Sequence, residues 1–239
     1  MPDPFFDFFY KDRPAIDPEA TEWKNISFKE YPRSPRIFLS KFKSFPSLNL
    51  AEALLKRRTE RNFSNQPISQ NVLGRLLFWS AGPIHKLSAT GNSFRRPYPS
   101  GGARFPVEIY VALFNGKGVK KGAYHYNFLE HSLELIHGAD AEKIRQATTY
   151  DFYKTAPALI LLSFVGERTA GKYGNLGYKL GILEGGHIGQ NIYLVGTALG
   201  LGVLAIGRMT DHAAVERELD LDAEEETVFY QLAIGYPKK

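Results

Sequence analysis

The sequence of 239 residues contains no cysteine. Without thiols the chain can form no disulfide, no thiolate nucleophile, no cysteine-ligated zinc site and no iron–sulfur cluster. This composition is compatible with a reducing compartment, and we expect a cytoplasmic protein. The six histidines show neither an HExxH motif nor paired spacing, so the sequence predicts no metal site.

The chain also lacks the pattern of a signal peptide. Its first residues, MPDPFFDFFYKDRP, are aromatic but include Asp3, Asp7 and prolines, whereas a signal peptide has a basic and then an apolar segment. Residues 188–207 carry no charged side chain, and about twenty such residues could span a bilayer. Because Gly200 and Gly202 interrupt this run, we predict a buried helix followed by a buried strand, VLAIG.

No linker, charge block or internal repeat divides the chain, which favours a single main domain. The net charge is +5, from 30 basic and 25 acidic residues. Basic residues are concentrated between positions 31 and 61: Arg33, Arg36, Lys41, Lys43, Lys56, Arg57, Arg58 and Arg61. Because no nucleic-acid-binding module accompanies them, we expect a local anion site rather than a nucleic-acid surface.

The densest basic segment is LLKRRTERNF, in which residues 51–56 read as the end of a helix. Arg57, Arg58, Thr59 and Arg61 follow, and guanidinium groups beside a hydroxyl suit the oxygens of a phosphate. A solvated basic turn is the alternative that charge alone favours. Ser69 then has the pattern of a helix N-cap before the amphipathic run NVLGRLLFWSAG.

Two further segments bear on a ligand site. PSGGARFP is a glycine-rich loop before the strand VEIYVAL, and its glycines would let the backbone approach a flat ligand, although a plain loop has the same composition. RTAGKYGNLGYK carries Lys172 and Tyr173 just before the long apolar helix. Lys172 could act as a base if burial or a nearby Arg disfavours its charged form, or the segment could be a surface loop.

Two further patterns argue against a dinucleotide-binding domain and a hydrolase, and a third leaves two packing partners possible. NGKGVKKG lies between two strand-like runs and predicts a hairpin turn rather than a dinucleotide fingerprint. Ser100 has no GxSxG elbow, which argues against a hydrolase. In EGGHIGQNIYLVGTALG, Gly185 and Gly189 are four residues apart, so another element can approach closely, either from a second copy or from the same chain.

Taken in order, these segments resemble the flavin-dependent nitroreductase superfamily. RRTERNFSNQPISQNVLGRLLFWSAG is similar to its N-terminal signature, and RRPYPSGGARFPVEIYVAL, KYGNLGYK, EGGHIGQNIYLVGTALGLGVLAIG and EEETVFYQLAIGYP follow in the order of one branch. That branch is the SagB-type dehydrogenases, which include oxidases that form thiazoles and oxazoles in modified peptides. The resemblance covers roughly residues 54–237.

The resemblance implies an α+β nitroreductase-like fold with a central mixed, mostly antiparallel sheet flanked by helices, in an intertwined homodimer. Residues 51–239 would form the FMN-binding domain, and residues 1–50 an N-terminal extension that packs on it. The implied FMN contacts are Arg57, Arg58, Thr59 and Arg61 at the phosphate, Pro99, Ser100 and Gly101 across the dimer interface, and Gly207 with Arg208 beside the flavin. Tyr150 stands where the family has a flavin-contacting amide.

The same resemblance implies that Lys172 is a catalytic base and Tyr173 its hydrogen-bonding partner. The expected reaction is FMN-dependent dehydrogenation of a peptide-bound or carrier-bound azoline. A second peptide-modifying enzyme is a possible partner. A first alternative is an NAD(P)H-dependent reductase of nitroaromatics, quinones or a dehydroamino acid. A second is a non-catalytic scaffold in a peptide-modifying assembly. We expect neither nucleic acid nor a membrane as partner.

Overall fold

The structure, a computed structural model, describes residues 28–40, 48–86, 94–147 and 154–238. The aromatic residues of the N-terminal segment, from Phe5 to Tyr10, and Tyr150 lie outside these ranges. The expectations attached to them therefore stay predictions.

Short and long strands alternate with helices in the described residues. The strands are β1 (Arg36–Phe38), β2 (Ile68–Ser69), β3 (His85–Lys86), β4 (Phe94–Arg95), β5 (Val107–Leu113), β6 (Gly116–Lys117), β7 (Gly122–Asn127), β8 (Ser132–Leu135), β9 (Ala158–Val165), β10 (Gly202–Ile206) and β11 (Glu226–Gly235). The helices are α1 (Leu50–Lys56), α2 (Gln70–Ala81), α3 (Ala141–Gln146), α4 (Glu167–Tyr173), α5 (Leu176–Ala198) and α6 (His212–Glu218), with a 3₁₀ turn at Gly101–Ala103.

The centre of the molecule is a seven-stranded sheet in the order β1-β8-β7-β5-β9-β11-β10. Every pairing within this sheet is antiparallel. Parallel pairing occurs between β2 and β6 and at an isolated bridge from Thr59 to Val203. The predicted α+β architecture with a mixed, mostly antiparallel sheet is confirmed. β1 comes from the predicted N-terminal extension, whose boundary at residue 50 stays a prediction.

Local sequence signals set the predicted elements. The Ser69 side chain accepts a hydrogen bond from the Val72 amide and caps α2, because the first amides of a helix have no partner within it. The run that lacks charge folds as the predicted helix and strand, α5 and β10. NGKGVKKG connects the antiparallel strands β5 and β7, as predicted for a hairpin.

Side chains alternate across the sheet and form one core on each face. In β5, Val107, Ile109, Val111 and Leu113 pack in a core with residues of α2 and α5. Tyr110 and Ala112 point the other way, into a core with residues of α3 and α6. α5 therefore lies against one face of the sheet, and it carries the candidate site along its length.

Glycines on one face of α5 allow its close packing within the chain. Side-chain atoms added at Gly181, Gly185 and Gly189 would collide with Phe164, Phe229 and Tyr230 of the sheet, and one at Gly177 with the α4 backbone. Of the two readings left open for Gly185 and Gly189, packing within one chain is the one observed. The glycine spacing therefore gives no support to a dimer. In the part of the chain that the structure describes, no helix is long and apolar enough to cross a membrane.

Two glycines of α5 provide a matched test of this packing. We expect Gly181→Ala to lower the free energy of unfolding by about 1–3 kcal/mol, because the new methyl group must displace the buried Phe164 ring. Gly186→Ala has open space around it and should raise stability by up to about 1 kcal/mol. Urea unfolding of both variants measures the difference, and equal effects would contradict the packing described.

Candidate cofactor and active site

The residues predicted to bind a phosphate begin where α1 ends. Arg57 is the C-terminal cap of α1, and its guanidinium carbon lies 5.4 Å from the centre of the Tyr193 ring. The Thr59 hydroxyl lies 3.4 Å from the Tyr193 hydroxyl, which also accepts a hydrogen bond from the Ala205 amide at 2.9 Å. Tyr193 of α5 thus holds the predicted anion-binding turn against β10.

The other two arginines of this group point outward. Arg58 is exposed and lies 3.5 Å from Glu60, and Arg61 is also exposed. Glu60 packs over Gly202, where any side chain would collide with it, and its amide donates to the Val203 carbonyl. The turn is therefore fixed to the start of β10 while its charged groups face solvent, as an anion-binding surface requires.

Gly207 and Arg208 directly follow β10. Gly207 is exposed, and among the described residues, apart from its chain neighbours, no atom lies within 4 Å of the position that its side chain would occupy. The Arg208 carbonyl accepts a hydrogen bond from the buried Gln231 side chain at 3.0 Å, which fixes the backbone there. A flat ligand can therefore approach the Gly207 backbone without steric hindrance.

The glycine-rich loop lies against the first half of α5. The Ser100 hydroxyl oxygen accepts a hydrogen bond from the Phe105 amide at 2.8 Å, which closes the loop around the 3₁₀ turn. Gly101 packs on Leu180, whose methyl carbon lies 2.9 Å from the position of an added side-chain carbon. Gly102 has a φ of +62°, a conformation that favours glycine. Pro99, which is exposed, and Ser100, which is half-buried, begin this arrangement.

Lys172 and Tyr173 occupy the last turn of helix α4, rather than an irregular loop. The Lys172 ammonium lies 5.2 Å from the centre of the Tyr173 ring, and both side chains are half-buried. The Tyr173 hydroxyl is 2.5 Å from the position of a side-chain carbon at Gly102. The structure thus places Tyr173 against the predicted flavin loop, with Lys172 beside it in the same helical turn.

A buried arginine joins this helix, the loop and the sheet. Arg168 of α4 lies 2.5 Å from a Glu108 carboxylate oxygen of β5 and donates to the Phe105 carbonyl at 2.9 Å. In return, the Arg104 side chain donates to the Arg168 carbonyl. Arg168 therefore positions Lys172, one helical turn further on, relative to the glycine-rich loop.

Glu108 continues into a buried row of charges across the sheet. His125 of β7 lies between Glu108 and Glu134, at 3.1 Å and 2.9 Å, and Arg36 of β1 lies 3.0 Å from Glu134. Burial alone would raise the pKa of Glu108, but Arg168 and then His125 hold this pKa well below its usual range. Burial would lower the pKa of His125, but its two glutamates raise it above the usual value. The ionised row therefore anchors Arg168.

Within one chain, the predicted contact residues fall into two groups. The glycine-rich loop contacts Leu180. The predicted phosphate-binding residues contact Tyr193, thirteen residues further along α5. At 1.5 Å per residue this is about 20 Å along the helix axis. Lys172 and Tyr173 therefore lie with Ser100 and Gly101, and far from Arg57 and Thr59 of the same chain.

Two buried residues of the site escaped the sequence reasoning. Arg168 is the first residue of RTAGKYGNLGYK, but nothing in the sequence showed that it pairs with Glu108, sixty residues away. Glu184 is the first residue of EGGHIGQNIYLVGTALG, and the sequence suggested no role for it. The available signal was its position as the single Asp, Glu, Lys or Arg in residues 180–207. It is 2% exposed and lies beside Ser100.

Comparison with known proteins agrees with this arrangement. The sequence profile of the Nitroreductase family matches residues 54–236, so the chain belongs to that family. It is 32% identical over 167 residues to MJ1384 of Methanocaldococcus jannaschii, a protein named as a nitroreductase, covering 69% of this chain and 81% of that protein. It is 30% identical to the microcin B17-processing protein McbC of Escherichia coli, covering 54% of this chain and 50% of McbC.

Solved structures share the fold. A Ralstonia eutropha protein named as a nitroreductase has a TM-score of 0.73 at 26% identity, covering 85% of this chain and 90% of that chain. A chain of the E. coli microcin synthetase McbBCD complex, with truncated pro-MccB17 bound, has a TM-score of 0.68 at 23% identity, covering 95% of this chain and 84% of that chain. The likeness to McbC supports the SagB-type branch, although the match spans only half of that protein.

The buried ion pair between Arg168 and Glu108 can be tested by stability. We expect Arg168→Gln to lower the free energy of unfolding by about 3–5 kcal/mol, since it leaves Glu108 buried without its principal counter-charge. Lys121→Gln is the control, because its pair with Glu142 is exposed and should matter by less than about 1 kcal/mol. Denaturant unfolding measures both changes. A loss for Arg168→Gln no larger than that of the control would show that the pair does not hold α4.

Proposed function

We propose that the protein is an FMN-dependent dehydrogenase of the nitroreductase family, which oxidises an azoline-type ring in a peptide or carrier-bound substrate. The observation that carries this proposal is the placement of Tyr173, which follows Lys172 in the last turn of α4, against the glycine-rich loop. Family membership supports the broader assignment as an FMN-type oxidoreductase. The substrate class rests on the likeness to McbC and on the catalytic pair.

The residues around β10 suit the two ends of FMN. Arg57, Arg58, Thr59 and Arg61 would bind the phosphate through charge-assisted hydrogen bonds, and the open backbone of Gly207 would face the flavin ring. Thr59 lies beside Val203, four residues before Gly207, or about 13 Å along an extended strand. This spacing is comparable to the length of a flavin mononucleotide.

A homodimer would complete such a site. The loop of Pro99, Ser100 and Gly101 lies about 20 Å along α5 from the predicted phosphate-binding residues of its own chain. We therefore propose that each loop contacts the flavin bound by the residues around β10 of a second copy. Apolar side chains on α1 and α5 support this arrangement, because they are between 49% and 86% exposed: Leu50, Leu54, Leu55, Ile182 and Leu183. Burying such a surface favours association.

The bound FMN would supply an acceptor for hydride. Lys172 would remove a carbon-bound proton from the substrate. Its ammonium lies 5.2 Å from the centre of the Tyr173 ring in the last turn of α4. Tyr173, fixed over Gly102, would orient the ring by a hydrogen bond from its hydroxyl. Arg104 lies near Tyr173, and its side chain donates to the Arg168 carbonyl of the same helix.

A partner in peptide modification is part of this proposal. McbC is named for processing of microcin B17, and the McbBCD complex was solved with a truncated precursor bound. We propose that this chain acts on a peptide with a partner enzyme of the same kind. A non-catalytic scaffold is the competing role, and it would bind such a partner without needing Lys172.

The alternative activity is NAD(P)H-dependent reduction of a nitroaromatic, a quinone or a dehydroamino acid. It is favoured by the match to MJ1384, because this chain spans 81% of that protein but only half of McbC. Both activities would use the same flavin face. Rapid reduction of bound flavin by NAD(P)H would favour the reductase, and slow reduction the dehydrogenase.

Cofactor content is the first test of the proposed function. We expect the purified protein to absorb visible light as a flavoprotein and to release about one FMN per chain on heating. Arg57→Ala should weaken FMN binding by about tenfold or more, since it removes a charged phosphate contact worth about 1.5–3 kcal/mol, whereas Arg33→Ala should not. A colourless protein that also fails to bind added FMN would rule out the enzyme assignment and favour the scaffold.

The role of Lys172 is tested by its removal. We expect Lys172→Ala to lower kcat for an azoline peptide by about a hundredfold to ten-thousandfold, the usual contribution of a general base, with FMN content unchanged. Lys179→Ala, on the next helix, is the matched control and should retain activity. Full turnover by Lys172→Ala with normal flavin content would contradict the proposed base.

A further inference from the structure

Glu184 is a buried acid whose carboxylate lies behind the glycine-rich loop. It follows Leu180, the residue that supports Gly101, by one turn of α5. Only 2% of the residue is exposed, and neither carboxylate oxygen makes a hydrogen bond of normal geometry. An unpaired carboxylate in such a place is unfavourable, so the residue is poorly explained as a structural ion.

Four groups from three other elements face the Glu184 carboxylate. They are the Ser100 hydroxyl and the Arg96 guanidinium from the loop and the segment before it, the Val107 amide from β5, and the Arg168 guanidinium from α4. Each of the three side chains already has other partners. The Ser100 oxygen accepts from Phe105, Arg96 donates to the Tyr98 hydroxyl at 2.7 Å, and Arg168 pairs with Glu108.

These surroundings favour the neutral acid. Burial raises the pKa of Glu184 to about 7, although Ser100, Arg96, Val107 and Arg168 act in the opposite direction. Ser100 has a hydroxyl proton to donate, because its oxygen accepts from Phe105. The carboxyl group can therefore support the loop as a neutral neighbour without disturbing the existing bonds of Ser100 and Arg96.

We propose that Glu184 is a positioning residue for the cofactor-binding loop, and that the loop takes its FMN-binding conformation only while this carboxyl group is neutral. The proposal rests on the proposed FMN site. When ionised, Glu184 would draw the Ser100 hydroxyl and the Arg96 guanidinium towards itself. Both residues lie in the segment 96–105. The hydrogen bonds of Arg96 with Tyr98 and of Ser100 with Phe105 fix the conformation of this segment. Ionisation would therefore displace Ser100 from the flavin.

The test is FMN affinity of the apoprotein as a function of pH. Quenching of flavin fluorescence would be measured between pH 5.5 and 8.5 for the wild type, Glu184→Gln and Glu224→Gln, whose side chain is exposed and remote. We expect wild-type affinity to fall above about pH 7, by up to tenfold per pH unit. Glu184→Gln should keep its affinity over this range, and Glu224→Gln should behave as the wild type. Titration of the FMN phosphate near pH 6 is common to all three proteins.

Two outcomes would overturn the proposal. A wild-type affinity that does not change above pH 7 would show that ionisation of Glu184 does not disturb the loop. The same fall in Glu184→Gln as in the wild type would assign the pH dependence to another group.

A third outcome separates this proposal from the proposed function. If none of the three proteins binds FMN, the cofactor assignment fails, and thermal unfolding of the apoprotein then examines Glu184 alone. Because the pKa of this acid is raised in the folded state, wild-type stability should decrease relative to Glu184→Gln as pH rises from about 4.5 to about 7. An unchanged difference would show that Glu184 is not the neutral buried acid described, and the proposal would fall with it.

Discussion

The candidate site depends on one buried ion pair, that of Arg168 with Glu108. Through this pair a helix of only seven residues, α4, is attached to the central strand of the sheet, and through the Phe105 carbonyl it is attached to the glycine-rich loop. A short helix has little stability of its own. Lys172 and Tyr173 therefore owe their position to a contact made at the other end of their helix. His125, Glu134 and Arg36 extend the same constraint across the sheet to its edge strand.

The long helix α5 organises the rest of the site. Its glycine face packs on α4 and on the sheet. Elsewhere on the helix, Leu180 contacts the glycine-rich loop and Tyr193 contacts the predicted phosphate-binding residues. Because these contacts lie far apart along the helix, the two predicted groups of contact residues are separate within one chain. The apolar side chains exposed on α1 and α5 are the surface on which the proposed second copy would pack.

Much of this organisation could be predicted from the sequence because it depends on local patterns. The cap at Ser69, the helix and strand within residues 180–207 and the hairpin at NGKGVKKG each follow from neighbouring residues. The order of the motifs indicated the family. The helical state of Lys172 and Tyr173 was missed, since glycines on both sides of a short segment usually indicate a loop. Which partner packs on Gly185 and Gly189 could not be decided either, because the spacing is the same for a neighbour within the chain or outside it.

The sequence by itself determined helices α2 and α5, strands β5 and β10, the family and the residue types available for anion binding and proton transfer. Tertiary structure alone decided which of these residues meet. The pairing of Arg168 with Glu108 and the burial of Glu184 behind Ser100 join positions 60 and 84 residues apart, and no local periodicity encodes such contacts. The environment of Glu184 follows from burial on all sides by α4, α5, β5 and the loop. Its charge state is therefore a property of the folded chain, since the free energy of a carboxylate depends on the water and partners around it.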